Sequence, residues 1–450
     1  MTKRITTFLT RFKKETRYQI LLVLIITLLA AGLRLYKLGQ WSLWIDELFE
    51  LNRAKRAFQF QPGDFPTLTR LFIGTMIVLS DTSEWSTRLI PALIGVLSVP
   101  IFFFPVKKLF GPIVALLTVL FLAVSPWHIL WSQEVRFYTL LALLYTLGLL
   151  YFFFALEEDK FSYALAAGIL LTLAVQERIL AFFYVPVILF YLIVVKVLRF
   201  GKLPGLKIKN LLPLLLPIAI FGILDLYTYL QSGPIGVSRE QVAAPDGYST
   251  VNVFLTQFIN DARLNPLWML ISIVNFIGVP VAVVSLFSGL YLTLNKDRKG
   301  LFLLSGVAVP LLGLSFFAFF IFSNDRYVFH TLPFWLILCA WGTREIFVQF
   351  KGQHKLLAVG VLTLLLASSL LQDFEYFKYQ QGYRHDWKGA FALVKVQEQP
   401  GDLVATSYPE MAQYYLGEEA LDSDELTAVT VQNSCHRLWF VDVLWGPPQS

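Results

Sequence analysis

The feature that most constrains this chain is a succession of apolar runs, each about as long as a bilayer is thick. A helix needs roughly 20 apolar residues to span, with a range of about 17–25. Such runs lie at 19–36, 89–106, 113–131, 136–156, 161–177, 179–198, 211–230, 266–294, 301–322, 327–349 and 355–371. Composition agrees: of 450 residues, 56% are hydrophobic and only 15% charged, whereas soluble domains run nearer a quarter charged. The expected fold class is an all-α polytopic membrane protein of about eleven transmembrane helices with a small α/β C-terminal domain.

The stretch 66–80 is also apolar, but short, and it carries Arg70. Lys and Arg of short loops stay cytoplasmic. If 66–80 does not cross, the basic N-terminus, Lys107-Lys108, Lys160, the 196–209 loop, the 295–300 loop and 351–355 all fall inside. If it does cross, all but the first fall outside. The expectation is therefore a re-entrant or shallow 66–80, a cytoplasmic N-terminus and an extracytoplasmic C-terminus. Residues 1–371 form the membrane domain and 372–450 an outer domain, in a plasma (inner) membrane. The segment from Ile20 follows six basic residues and precedes Arg34, Tyr36 and Lys37, with no small-residue cleavage site, so it reads as an uncleaved signal anchor. The net charge of +6 lies in these loops, which is a topological signal and argues for no nucleic-acid partner. The two cysteines, Cys339 and Cys435, make neither a disulfide framework nor a metal spacing. In the tail, Trp387–Val396 and Pro409–Leu416 read as helices, and Asp402–Ser407 and Arg437–Val443 as strands.

Polar groups concentrate in the segments expected outside. The first loop opens WSLWIDELFELNRAKRAF, residues 41–58. Leu48, Leu51, Ala54 and Phe58 recur at helical spacing, so it reads as an amphipathic helix on the membrane with Trp41 and Trp44 as interfacial anchors. Asp46 and Glu47 at its start either complement the helix macrodipole or, partly desolvated, supply a general base. In SPWHILWSQEVRFY, residues 125–138, Gln133, Glu134, Arg136 and Tyr138 open an apolar helix. A lone arginine there would merely snorkel; a concentration of polar groups on the same membrane face as Asp46 argues for more. Arg88 precedes the second span, and Arg326 and Tyr327 open the tenth. Singly each is topological. Together these arginines suit a phosphate, which a planar guanidinium grips well. Glu177 and Arg178 read as a pair at a helix end.

In this order the segments resemble the dolichyl-phosphate-mannose protein mannosyltransferase-like family of the GT-C glycosyltransferases, to which the lipid A aminoarabinose transferase also belongs. The resemblance rests on Arg34-Leu35-Tyr36, Trp44-Ile45-Asp46-Glu47, Arg88-Leu89-Ile90-Pro91, Lys108-Leu109-Phe110-Gly111, the Ser125 to Tyr138 stretch and Arg326-Tyr327. It covers roughly the whole membrane region. The chain departs from it at Asp64-Phe65-Pro66-Thr67, where many relatives have a His-Pro-Pro-type sequence. The resemblance implies a sugar moved from a polyprenyl-phosphate donor to a lipid, protein or glycan acceptor on the outer face. Asp46 and Glu47 would be catalytic, Asp46 as general base with inversion. Arg88, Glu134, Arg136, Tyr138, Arg326 and Tyr327 would bind substrate. Some members of the family bind a divalent metal, but no ligand set is recognisable here. Two other readings stand beside this one. A secondary transporter or lipid flippase would carry ionisable groups near the midplane and two related halves, and an inactive relative would serve as a scaffold.

Overall fold

A computed structural model describes residues 2–59, 65–232, 266–317, 324–350, 355–379, 385–418, 420–422 and 437–442. The helices are α1 (Thr2–Leu35), α2 (Ile45–Lys55), α3 (Leu68–Leu79), α4 (Glu84–Phe110), α5 (Pro112–Ala123), α6 (Pro126–Ser132), α7 (Tyr138–Glu158), α8 (Phe161–Glu177), α9 (Tyr184–Val197), α10 (Ile208–Leu211) and α11 (Leu216–Ser232). They continue as α12 (Pro266–Ile277), α13 (Val279–Leu294), α14 (Arg298–Phe317), α15 (Leu332–Gln349) and α16 (Lys355–Tyr379). The C-terminal part holds α17 (Trp387–Gln397), β1 (Leu403–Thr406), α18 (Pro409–Tyr415), β2 (Leu421–Asp422) and β3 (Leu438–Phe440).

Among the described residues, six helices are long and apolar enough to cross a membrane, or up to eight if the bent pairs α5–α6 and α12–α13 each count as one. Eleven apolar runs thus become fewer unbroken spans, and proline is one reason. The 211–230 run is interrupted at Pro213, where the chain makes a 3-10 turn over Leu212–Leu215, because proline cannot donate the helical hydrogen bond. The 327–349 run starts as a 3-10 turn, Asp325–Thr331, before α15. The α12–α13 pair bends by 101° at Gly278, whose φ of +92° suits a residue without Cβ. The α5–α6 pair bends by 58°, which leaves carbonyls at the end of α5 open to a side-chain donor. Arg34 of α1 satisfies them: its terminal nitrogens donate to Leu122 O and Ala123 O, each at 2.9 Å.

Helix α7 lies at the centre of the bundle, buried along almost its whole length. At one end meet the basic loops expected inside: Lys108 pairs with Glu158, Arg298 with Glu157, and Lys207 and Lys209 with Asp159. At the other end meet the first loop, the 133–138 turn, Arg326 and the C-terminal part. Helix α3, 12 residues long, is roughly 18 Å at 1.5 Å per residue, too short for a ~30 Å hydrocarbon core.

The C-terminal part is a parallel three-stranded sheet, order β2-β1-β3, with α17 and α18. Both helices and strands β1 and β3 fall where the sequence places them, while β2 lies in a stretch given no element. Helix α16, however, runs past residue 371 to Tyr379. Helix α2 departs from expectation as well. Its apolar face does not lie on lipid: Leu48, Leu51 and Ala54 join Ile73 of α3 and Trp387, Phe391, Met411 and Leu416 of the C-terminal part in one apolar core. Glu50 is buried with it, held by Arg70 of α3 at 2.8 Å. Trp41 is likewise internal, edge-on to Tyr376 at 4.8 Å, rather than an interfacial anchor.

Candidate active site

Helix α2 is entered with half of a capping box: the Glu47 carboxylate accepts the Trp44 backbone N–H at 3.2 Å, while the Trp44 indole is a donor only and returns no acceptor. Successive helical residues point about 100° apart, so Asp46 and Glu47 face different surroundings.

Glu47 is sealed. Its side chain and that of Arg88 are both fully buried and pair at 2.7 Å. The pairing is bidentate, with Nε of Arg88 donating to the other carboxylate oxygen at 2.8 Å. That oxygen also takes the Val135 N–H at 2.8 Å. The remaining donors of Arg88 go to Leu38 O, Trp41 O and Ser42 O. All five of its N–H groups are therefore engaged inside the protein, and none is left for a phosphate. Arg88 fixes the strap 38–42 instead. Glu134, also buried, lies close enough to Arg88 to act on its charge.

Asp46 is open. Its carboxylate is 26% exposed and stands 2.9 Å from Arg326 and 3.5 Å from Arg136. Arg136 also donates to the Asp46 backbone carbonyl at 2.9 Å. Both guanidiniums lie over the Trp44 ring, at 5.8 Å for Arg136 and 5.6 Å for Arg326, within cation–π range. Arg136 also lies over Tyr138, and Arg326 over Tyr327, each at 5.6 Å. The Nε atoms of Arg136 and Arg326 are buried without a hydrogen-bond partner among the described residues. One carboxylate against two guanidiniums leaves an excess positive charge at a partly open site. Such a site can take an anion beside a carboxylate able to accept a proton.

Of the eight residues expected here, the structure gathers Asp46, Arg136, Tyr138, Arg326 and Tyr327 in one cluster. It sets Glu47, Arg88 and Glu134 behind it as support. Two further residues belong to the cluster. Trp44, expected as a lipid anchor, is the platform for both arginines; its place beside Asp46 was the available signal. Arg178 turns away from Glu177 and lies over Phe137 at 5.3 Å, adding exposed positive charge. Glu177 instead accepts the Thr69 N–H at 3.0 Å, capping α3 from a neighbouring helix. No sequence spacing announces that contact. Asp64 and most of the 231–265 loop lie outside the described residues.

The C-terminal part clasps the strap from the other side. Tyr415 Oη accepts the Leu43 N–H at 2.7 Å, and Ser42 Oγ bridges the Lys388 N–H and the Asp386 carboxylate. Burial pushes the hydroxyls of Tyr414 and Tyr415 well above the usual phenol range. Both therefore stay protonated, and Tyr414 donates to Thr82 O.

Among the described residues, no three His, Cys, Asp or Glu side chains stand close enough to hold a metal. Asp46 faces two cations and Glu47 is fully engaged, so this donor set does not fit a divalent ion.

The family model of the dolichyl-phosphate-mannose-protein mannosyltransferases matches residues 64–221. The matched segment includes Arg88, Glu134, Arg136 and Tyr138. None of the curated proteins compared by sequence matches. Solved structures align over nearly the whole chain. ArnT from Cupriavidus metallidurans bound to undecaprenyl phosphate is 12% identical, with a TM-score of 0.62 over 95% of this chain and 90% of its own. The archaeal oligosaccharyltransferase AglB from Archaeoglobus fulgidus, in complex with an inhibitory peptide and a dolichol-phosphate, is 11% identical, with a TM-score of 0.59 over 91% of this chain. This chain spans 65% of the length of that AglB chain. The chain thus shares the fold of ArnT and AglB, and its residues 64–221 match the model of the dolichyl-phosphate-mannose-protein mannosyltransferases.

Proposed function

We propose that the protein is a membrane glycosyltransferase that moves a sugar from a polyprenyl-phosphate donor to an acceptor hydroxyl. The observation that carries this reading is the Asp46 carboxylate held between Arg136 and Arg326 on the Trp44 ring. Asp46 takes the proton of the acceptor hydroxyl. The acceptor oxygen attacks the anomeric carbon, the bond from that carbon to the phosphate oxygen breaks, and configuration inverts. Polyprenyl phosphate leaves with the electron pair. No general acid is required, because Arg136 and Arg326 stabilise the developing charge. Tyr138 and Tyr327 wall the site, and Glu47 positions Asp46 through the first turn of α2.

The two structural neighbours, one bound to undecaprenyl phosphate and one in complex with a dolichol-phosphate, favour a lipid-phosphate donor whose chain lies between apolar helices. The charge asymmetry between the two ends supports an extracytoplasmic site and C-terminus in a plasma membrane, with eleven crossings as the full count. The C-terminal part would cover the acceptor, which is a lipid, a protein or a glycan.

The test supplies proteoliposomes with radiolabelled polyprenyl-phosphate sugars and an extract containing acceptors. Label passing to an acceptor in proportion to the amount of protein is the expected result. Label crossing the bilayer while still attached to its lipid would favour a flippase and overturn the proposal.

A further inference from the structure

The end of the bundle opposite Asp46 holds a groove that the proposed reaction does not use. It is a cavity of about 500 Å³ lined by Leu192, Ile193, Val195 and Lys196 of α9 and by Gly201, Lys202, Leu203 and Leu206 of the following loop. The loop is held in place at several points. Phe200 is buried in the main core. Gly205 N–H donates to Leu156 O at 2.8 Å, so close that a Cβ at Gly205 would stand 2.0 Å from the Ala155 carbonyl oxygen. Arg298 donates to Lys202 O at 2.7 Å, and Lys296 to Leu198 O at 3.2 Å.

Charge at this end is not evenly matched. Glu157 is engaged by Arg298, Glu158 by Lys108 and Lys160, and Asp159 by Lys207 and Lys209. Lys196 and Lys202 are both exposed, and among the described residues neither has a carboxylate within 4.0 Å. The groove therefore joins an apolar wall to two uncompensated ammonium groups. An acyl chain suits the wall, and a phosphate suits the lysines. Basic pockets between spanning helices select anionic headgroups in this way.

We infer that this groove binds one anionic phospholipid, with the headgroup phosphate at Lys196 and Lys202 and an acyl chain along Ile193, Leu203 and Leu206. The site is independent of the transfer chemistry at Asp46. Its test is a native mass-spectrometric titration of the full chain in detergent with phosphatidylglycerol and with phosphatidylcholine of identical acyl chains. Wild type should hold one phosphatidylglycerol about thirtyfold more tightly than phosphatidylcholine, since two exposed charges near a surface are worth about 1 kcal/mol each. K196Q/K202Q should abolish that preference. Ile193→Trp, which fills the groove and keeps both charges, should weaken both lipids. Lys55→Gln, at the other end, should change nothing. Equal retention of the two lipids by wild type, or an unchanged preference in the double variant, would overturn the inference. Full displacement of phosphatidylglycerol by millimolar inorganic phosphate would overturn it too, by showing a site for phosphate alone.

Discussion

The Asp46 cluster and the Glu47 cluster begin one residue apart and use the same ingredients, a carboxylate and arginine. In the Glu47 cluster the charges balance and water is excluded: one fully buried carboxylate meets one fully buried guanidinium, and every donor of Arg88 has an acceptor. In the Asp46 cluster one partly open carboxylate meets two guanidiniums, and among the described residues the buried Nε atoms of Arg136 and Arg326 have no partner. The first arrangement holds a strap in place and has no capacity left for a ligand. The second has unmet charge and an opening. Saturation and burial, rather than residue type, separate the supporting cluster from the one proposed to react.

The comparison breaks most visibly at Arg88. Arg88→Ala leaves Glu47 buried and uncompensated, which costs about 3–5 kcal/mol. Thermal denaturation in detergent should show a large loss of folded protein, and activity per folded molecule should fall far less than yield. A stable, folded but inactive Arg88→Ala would move Arg88 into the reactive cluster. Next comes Arg326. Losing a hydrogen bond to a charged group costs about 1.5–3 kcal/mol, so Arg326→Ala should weaken transfer roughly tenfold to a hundredfold with an unchanged melting temperature. Arg326→Lys should recover part of that, because a point charge remains but the fork does not.

The smallest effect concerns the C-terminal part that clasps the strap. The Arg437 side chain, hydrogen-bonded to Asp402, holds that carboxyl down at about 2. A depressed folded-state pKa means the contribution is complete above the unfolded value of about 4 and is lost as pH falls through about 2. The melting temperature should therefore drop between those values, and Asp402→Asn should flatten that drop without affecting the rate at neutral pH.

Much of this was legible in the residues. The apolar runs announce a membrane protein, and the motifs around Asp46, Arg136 and Arg326 announce polar residues that the structure brings together. The tail helices α17 and α18 and the strands β1 and β3 follow from pattern and turn residues, but the short β2 does not. What was not legible depends on three-dimensional placement. Apolar runs do not report where Pro213 or Gly278 interrupts a helix, so eleven runs do not map onto eleven unbroken helices. The amphipathic pattern of α2 shows that one face is covered but not by what, and here protein covers it. Adjacent acids look equivalent until the helix turns them apart. Arg88 reads as a phosphate ligand until its five donors are seen to be engaged.

The most direct test of the account compares sugar transfer per folded molecule for wild type, Asp46→Asn and Glu47→Gln, with thermal stability measured on the same preparations. The account predicts that Asp46→Asn loses about 10²–10⁴-fold in rate at wild-type stability. It predicts that Glu47→Gln loses stability while its folded fraction stays active. Undiminished transfer by Asp46→Asn, or a stable Glu47→Gln without activity, would contradict it.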